Sequence, residues 1–171
     1  VGSASAAAVQ SDRQDLPVGG EIMAITGAIG GMDGAVFCKK AIYRLSYVGP
    51  PTVFNITEVE RDRGPIARNS VVNVGSFGFY LGEEGFWSFS GAGSGSQAIG
   101  DQKVDRFFLN DLDQNYIERV YGAADPVSKM VYWAYPGQNN SSGQPNKVII
   151  YNWGIDRWST AEVTQEYMFR N

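Results

Sequence analysis

Between Ser128 and Val163 the chain reads SKMVYWAYPG, then a polar loop, then KVIIYNWGIDRWSTAEV. Side chains of an extended strand alternate between two faces. Met130, Tyr132 and Ala134 therefore fall on one side, and Val131, Trp133 and Tyr135 on the other. Both sides are apolar, the pattern of a strand covered on two faces. Lys147 to Trp153 repeats it, with Val148 and Ile150 opposite Ile149, Tyr151 and Trp153. The intervening PGQNNSSGQPN has the composition of a turn. Gly154-Ile155-Asp156 then leads into a third strand from Arg157 to Val163, with Trp158 near its start. This is an antiparallel β-meander.

The rest of the chain reads as further copies of that unit. Residues 1–20 form a small, polar lead-in. The first unit, 21–64, holds strands at Glu21–Thr26, Ala35–Cys38, Ala41–Tyr47 and Thr52–Glu58. The second, 65–115, holds Ser70–Val74, Phe77–Leu81 and Phe86–Ser90, with Gly82-Glu83-Glu84-Gly85 as a hairpin turn. A flexible loop, GAGSGSQAIG, ends in a short outer strand. A helical insertion follows over Asp101–Asn115, with Val104, Phe107, Phe108 and Leu112 expected on one side. The third unit, 116–171, begins with a strand at Ile117–Tyr121, turns through Ala123-Ala124-Asp125-Pro126, and enters the meander.

Corresponding strands carry matching pairs. Val36-Phe37, Phe79-Tyr80 and Val131-Tyr132 are spaced by 43 and 52 residues. Ile42-Tyr43, Phe86-Trp87 and Ile150-Tyr151 are spaced by 44 and 64, the drift being absorbed by the helix and the long polar loop. Repeated four-stranded meanders are the signature of β-propeller blades. The expected fold is all-β: about three blades, one short helix, and a place within a larger propeller, since closed rings typically hold about four to eight blades. The competing reading is a β-sandwich whose hairpins are alike by chance. Tyr43, Phe79, Trp87, Trp133, Tyr151, Trp153 and Trp158 are the expected blade-packing residues.

Composition removes several chemistries. The 171 residues contain no His and one Cys, Cys38, so imidazole catalysis, an internal disulfide and a Cys-cluster zinc site are excluded. Cys38, in AVFC, reads as a small buried apolar residue. A net charge of −4 argues against a phosphate-gripping surface, although like charge suits a wall that DNA slides past. No apolar run approaches the roughly 20 residues of a membrane span. VGSASAAAVQ lacks Met and a basic region before an apolar run, and reads as an internal start rather than a signal peptide.

The runs AVFCKKAIYRLSYVGPPTVFNI, FYLGEEGFWSFSG, KVDRFFLNDLD, VYWAYPG and KVIIYNWGIDRWS occur in an order and with gaps that resemble tail proteins of short-tailed bacteriophages. These are the tail-tube, nozzle and packaged-DNA-stabilisation proteins built around a β-propeller. The resemblance covers residues 20–163. It implies a virion structural role without catalytic residues, cofactor or metal. It also implies partners among other copies of the chain and neighbouring tail proteins, with only transient proximity to viral DNA. Members of that family are longer, so the resemblance implies that this chain is one part of such a protein. It further implies synthesis in the bacterial host cytoplasm and residence in the virion, in the phage tail.

Other motifs favour plainer readings. GAGSGSQAIG lacks the Gly-Lys-Ser/Thr of a phosphate loop. Asp111-Leu112-Asp113-Gln114-Asn115 starts like a calcium loop, but Tyr116 and Gly122 stand where its turn glycine and bidentate Glu belong. Glu83-Glu84 reads as a solubilising turn rather than a hydrolytic pair. Arg61, Arg63 and Arg68 are reminiscent of sialidase arginines, yet read as a solvated or subunit-facing linker. Exposed Trp87, Trp133, Trp153 and Trp158 would form sugar platforms, whereas two-faced apolar strands favour packing. The leading expectation is a tail nozzle or adaptor component. Its rivals are a lectin-like tail-fibre module and, third, a propeller glycan hydrolase.

Overall fold

The computed structural model describes residues 14–31, 33–91, 95–138, 140 and 142–163. They build three four-stranded antiparallel sheets, each a simple up-and-down meander. The first holds β1 (Ile22–Thr26), β2 (Gly34–Cys38), β3 (Ala41–Tyr47) and β4 (Phe54–Arg61). The second holds β5 (Val72–Val74), β6 (Phe77–Gly82), β7 (Gly85–Phe89) and β8 (Ser96–Ala98). The third holds β9 (Tyr121–Asp125), β10 (Met130–Tyr135), β11 (Lys147–Asn152) and β12 (Arg157–Glu162). One α-helix, α1 (Asp101–Asp111), lies between the second and third sheets in sequence. The fold is all-β and propeller-like.

The pleat decides which residues meet the neighbouring sheet. In β6, Phe79 and Leu81 pack toward the third sheet, while Tyr80, between them, packs toward the first. The middle sheet is thus apolar on both faces, as its central strand sequence FGFYLG requires. The third sheet turns Val131, Trp133, Tyr135, Ile149 and Tyr151 toward the second. The first turns Ala35, Phe37 and Ile42 toward it from the other side. The first strands gather on one side: β5 packs beside β9, and the 3-10 turn Arg68–Ser70 touches both β1 and β9. That radial gathering is the blade arrangement of a propeller.

The remaining face of the first sheet is closed by the chain's own lead-in. Val36, Cys38, Ala41 and Tyr43 are buried there with Leu16 against them. The Tyr43 hydroxyl donates to the Val18 carbonyl at 2.6 Å, and Lys40 N–H donates to the Gly19 carbonyl at 2.9 Å. Residues 1–13 of the expected lead-in and 164–171 of the expected third unit lie outside the described residues, as do 92–94 of the glycine-rich loop.

Several boundaries differ from the sequence-based expectation. Ser70 closes a 3-10 turn instead of opening a strand. The fourth strand runs to Arg61, not Glu58, because Val59 is inserted as a bulge between the pairs Ile42↔Glu60 and Tyr43↔Glu58. The helix stops at Asp111 rather than Asn115, where Leu112 turns extended and bridges to Gly137. Phe107 is 51% exposed, not inward-facing. Val104, Phe108 and Leu112, four residues apart, form the buried stripe, and Phe107 sits one step round the helix from it. The expected strand at Ile117–Tyr121 is mostly a second 3-10 segment, Gln114–Arg119. The Asp113 carboxylate accepts the Asn115 N–H at 3.0 Å and starts that turn. Strand β9 therefore begins later and includes Ala123-Ala124-Asp125. The actual turn follows it, where the Asp125 carboxylate accepts the N–H groups of Val127 and Ser128.

Candidate functional site

The side chains with the most developed geometry are those that join the sheets. At the seam between the second and third sheets, the Phe86 ring centre lies 4.6 Å from that of Trp133, 4.7 Å from Phe108 and 5.1 Å from Trp158. Phe79 meets Tyr151 at 6.1 Å and Trp153 at 5.6 Å, and Tyr151 meets Trp158 at 4.6 Å. Edge-to-face and tilted contacts at these separations add to the apolar area that the rings bury. At the seam between the first and second sheets, Phe37 contacts Tyr80 and Phe89 edge-on, each at 5.8 Å.

The seven expected packing residues fall into three places. Phe79, Trp133, Tyr151, Trp153 and Trp158 converge on the second seam. Trp87 packs, half-buried, at the first seam. Tyr43 is buried away from both, beneath the lead-in. The indole N–H groups of Trp133 and Trp158 donate to the carbonyls of Ser70 and Ile99, at 2.9 and 3.1 Å. With Trp133 fully buried and stacked on Trp158, these two rings do not present an open sugar platform.

Polar side chains clip the same seams together. Glu60, on β4, accepts from Arg63 at 2.6 Å and from the Ser96 N–H on β8, so it ties the outer strands of two sheets. Arg63 in turn lies over the Trp87 ring, 3.9 Å from its centre. Asp105, on α1, accepts the Phe86 N–H at 3.0 Å, and burial pushes its carboxyl above the ordinary range. Asp111 accepts from Lys147 at 2.7 and 2.9 Å and from the Tyr135 hydroxyl at 2.9 Å. Burial, reinforced by that carboxylate, raises the Tyr135 phenol. Burial likewise raises Tyr151, to about 12. Asp111 and Asp113, the calcium-like pair, are thus engaged in a seam clip and a turn. Among the described residues no group of three or more Cys, Asp or Glu is placed to hold a metal ion.

Arg61 pairs with Glu58 at 2.8 Å, and Arg68 pairs with Glu21. The three arginines near the link are therefore engaged with three separate carboxylates rather than converging on one site. The clips were not foreseen from sequence, although a signal existed: Glu58/Arg61 and Glu60/Arg63 repeat the same three-residue step along one strand and its exit.

Where the β2–β3 turn faces the β6–β7 turn, a cleft of about 140 Å³ opens at the first seam. Lys39 and Lys40 come from one turn, Glu83 and Glu84 from the other, and Asp62, Arg63, Gly64 and Trp87 complete it. No helix among the described residues is long and apolar enough to cross a membrane. Comparison with protein-family models and with curated proteins yields no match for this chain.

Proposed function

We propose that the chain is a non-enzymatic structural component of a phage tail, a propeller portion of the nozzle or adaptor that forms or closes the DNA conduit. The observation that carries this reading is the use of the aromatic side chains. The largest rings are spent on holding three sheets side by side, from Phe37 and Tyr80 at one seam to Trp133 and Trp158 at the other. A rigid stack of this kind suits a wall. The collinear resemblance over residues 20–163 supplies the tail context. The charge pattern agrees with a conduit that does not retain nucleic acid. The first strands, IMAIT, VNV and YGAAD, carry Asp125 as their single charged residue, and so no cation for phosphate. In that setting the partners are further copies of the chain and neighbouring tail proteins, and the mature location is the virion.

Deletion of the reading frame from the genome that encodes it tests the proposal. The expected result is particles with filled heads but without the distal tail density, unable to deliver DNA, and rescued by the gene supplied in trans. Intact tails and undiminished infectivity in the deletion would refute it.

A further inference from the structure

The cleft at the first seam shares Trp87 and Arg63 with the packing described above, and its other charged side chains take no part in holding the sheets together. Lys39, Lys40, Asp62, Glu83 and Glu84 line it. None of the five makes an ion pair or a side-chain hydrogen bond with a described residue, whereas Glu21, Glu58, Glu60 and Asp111 elsewhere in the fold are all paired. The indole N–H of Trp87, a residue that lines the cleft, also has no acceptor among the described residues, in contrast to Trp133 and Trp158. Arg63, stacked on Trp87 and held by Glu60, fixes that ring in place. Asp62 stands at a backbone φ of +61°, a conformation unusual for a residue with a side chain and enriched at binding sites.

Charge balance selects the ligand. The lining has three cations, Lys39, Lys40 and Arg63, and three anions, Asp62, Glu83 and Glu84. A simple anion would meet the carboxylates, and a simple cation the ammonium groups. Lys and indole groups only donate hydrogen bonds, and carboxylates only accept them. A hydroxyl does both, so a neutral molecule with several adjacent hydroxyls satisfies both walls and the indole together. The volume is well below the roughly 300–1,000 Å³ of pockets that enclose drug-sized ligands, which limits the occupant to about one ring. We infer that this cleft binds a neutral sugar ring, with Lys39 and Lys40 donating to its hydroxyls, Glu83 and Glu84 accepting from them, and the Trp87 indole donating as well.

The test uses the 171-residue chain labelled with nitrogen-15, so that the Trp87 indole N–H resonance, assigned through Trp87→Phe, reports on the cleft. Glucose, galactose, mannose and N-acetylglucosamine are titrated separately, with acetate, methylammonium and glycine as anionic, cationic and zwitterionic probes. The expected result is a saturable shift of that resonance with at least one sugar, at millimolar concentration, and none with the three small ions. Lys40→Ala and Glu84→Gln, both on exposed turn tips, should leave the rest of the spectrum in place and weaken the sugar's affinity by about tenfold, as loss of a hydrogen bond to a charged group does. No saturable shift with any of the four sugars overturns the inference. So does a shift with one of the ions alone, or a sugar shift that both variants leave unchanged.

Discussion

The indole N–H of Trp133 donates to the backbone carbonyl of Ser70 at 2.9 Å, joining residues 63 positions apart inside the core. Ser70 closes the turn that enters the second sheet, and its hydroxyl donates to the Ala67 carbonyl at 2.7 Å and accepts the Leu81 N–H at 3.2 Å. One buried serine thereby fixes the entry to one sheet and the central strand of the next. Trp133→Phe keeps most of the ring but leaves the Ser70 carbonyl without this donor, and should cost about 1–3 kcal/mol. Trp133→Ala also empties a fully buried site between Phe86 and Trp158, and should cost about 3–5 kcal/mol. Urea denaturation of both variants checks this. Equal losses would mean that ring volume contributes nothing beyond the hydrogen bond, and a Trp133→Phe protein as stable as the parent would mean the reverse.

Asp105 gives a pH dependence with a definite sign. Burial raises its carboxyl, the Phe86 N–H hydrogen bond lowers it, and Asp101 adds to the rise, with a net upward shift. The folded chain therefore holds this proton more tightly than the unfolded chain does. The stability it contributes is present below the ordinary carboxyl value and is lost as pH rises through the raised, folded-state value. Asp105→Asn keeps an oxygen to accept from Phe86 and removes the buried charge. The variant should gain on the parent as pH is raised from about 3 to about 7, with the difference levelling off once the parent carboxylate is ionised. A difference in stability that stays constant over that range would show that Asp105 titrates normally.

The strands were legible where both faces are apolar and turns bracket them. Ala41–Tyr47, between Lys39-Lys40 and Gly49, has the same bounds in the sequence reading and in the structure. What one strand cannot show is which neighbour each face meets. Tyr43 and Phe37 have similar patterns, yet one lies under the lead-in and the other at the seam. The segment at Ile117–Tyr121 was misread because its conformation is set by the Asp113 side chain, a local polar contact that apolar periodicity does not register. The cleft was invisible for a related reason. Lys39-Lys40 and Glu83-Glu84 each read as a solvated turn, and only the packing of two sheets brings them face to face.

Gly64 marks how closely the link between the first two sheets approaches the β2–β3 turn. A Cβ there would fall inside the van der Waals shell of the Cys38 carbonyl oxygen and within 2.8 Å of the Lys39 carbonyl oxygen. Backbone on both sides cannot swing away as a side chain would. Gly64→Ala should therefore destabilise by about 1–3 kcal/mol through overpacking alone. Gly27→Ala, where the added Cβ meets nothing within 4 Å, is the control and should stay within about 0.5 kcal/mol of the parent. Thermal melts of the two variants separate steric crowding from the general cost of replacing glycine. A Gly64→Ala protein that melts with the parent would mean that the link shifts freely.

Cys38 reports on the lead-in. Its thiol is fully buried on the face of the first sheet that Leu16 covers, and burial pushes its pKa up, so it should react slowly with thiol reagents in the native protein. The cover is short, held by Leu16, by the Tyr43 hydroxyl donating to Val18 and by the Lys40 N–H donating to Gly19, and it is expected to open without unfolding the sheets beneath. Leu16→Asp puts a charge where an apolar contact is needed and should raise the labelling rate of Cys38 by about tenfold or more, through local opening. The denaturant midpoint, which reports the sheets, should fall far less than that acceleration would require of global unfolding. Two results would oppose a local cap. If the labelling rate rises only in proportion to lost global stability, the lead-in and the sheets open as one unit. If the rate is unchanged, Leu16 is not what shields the thiol.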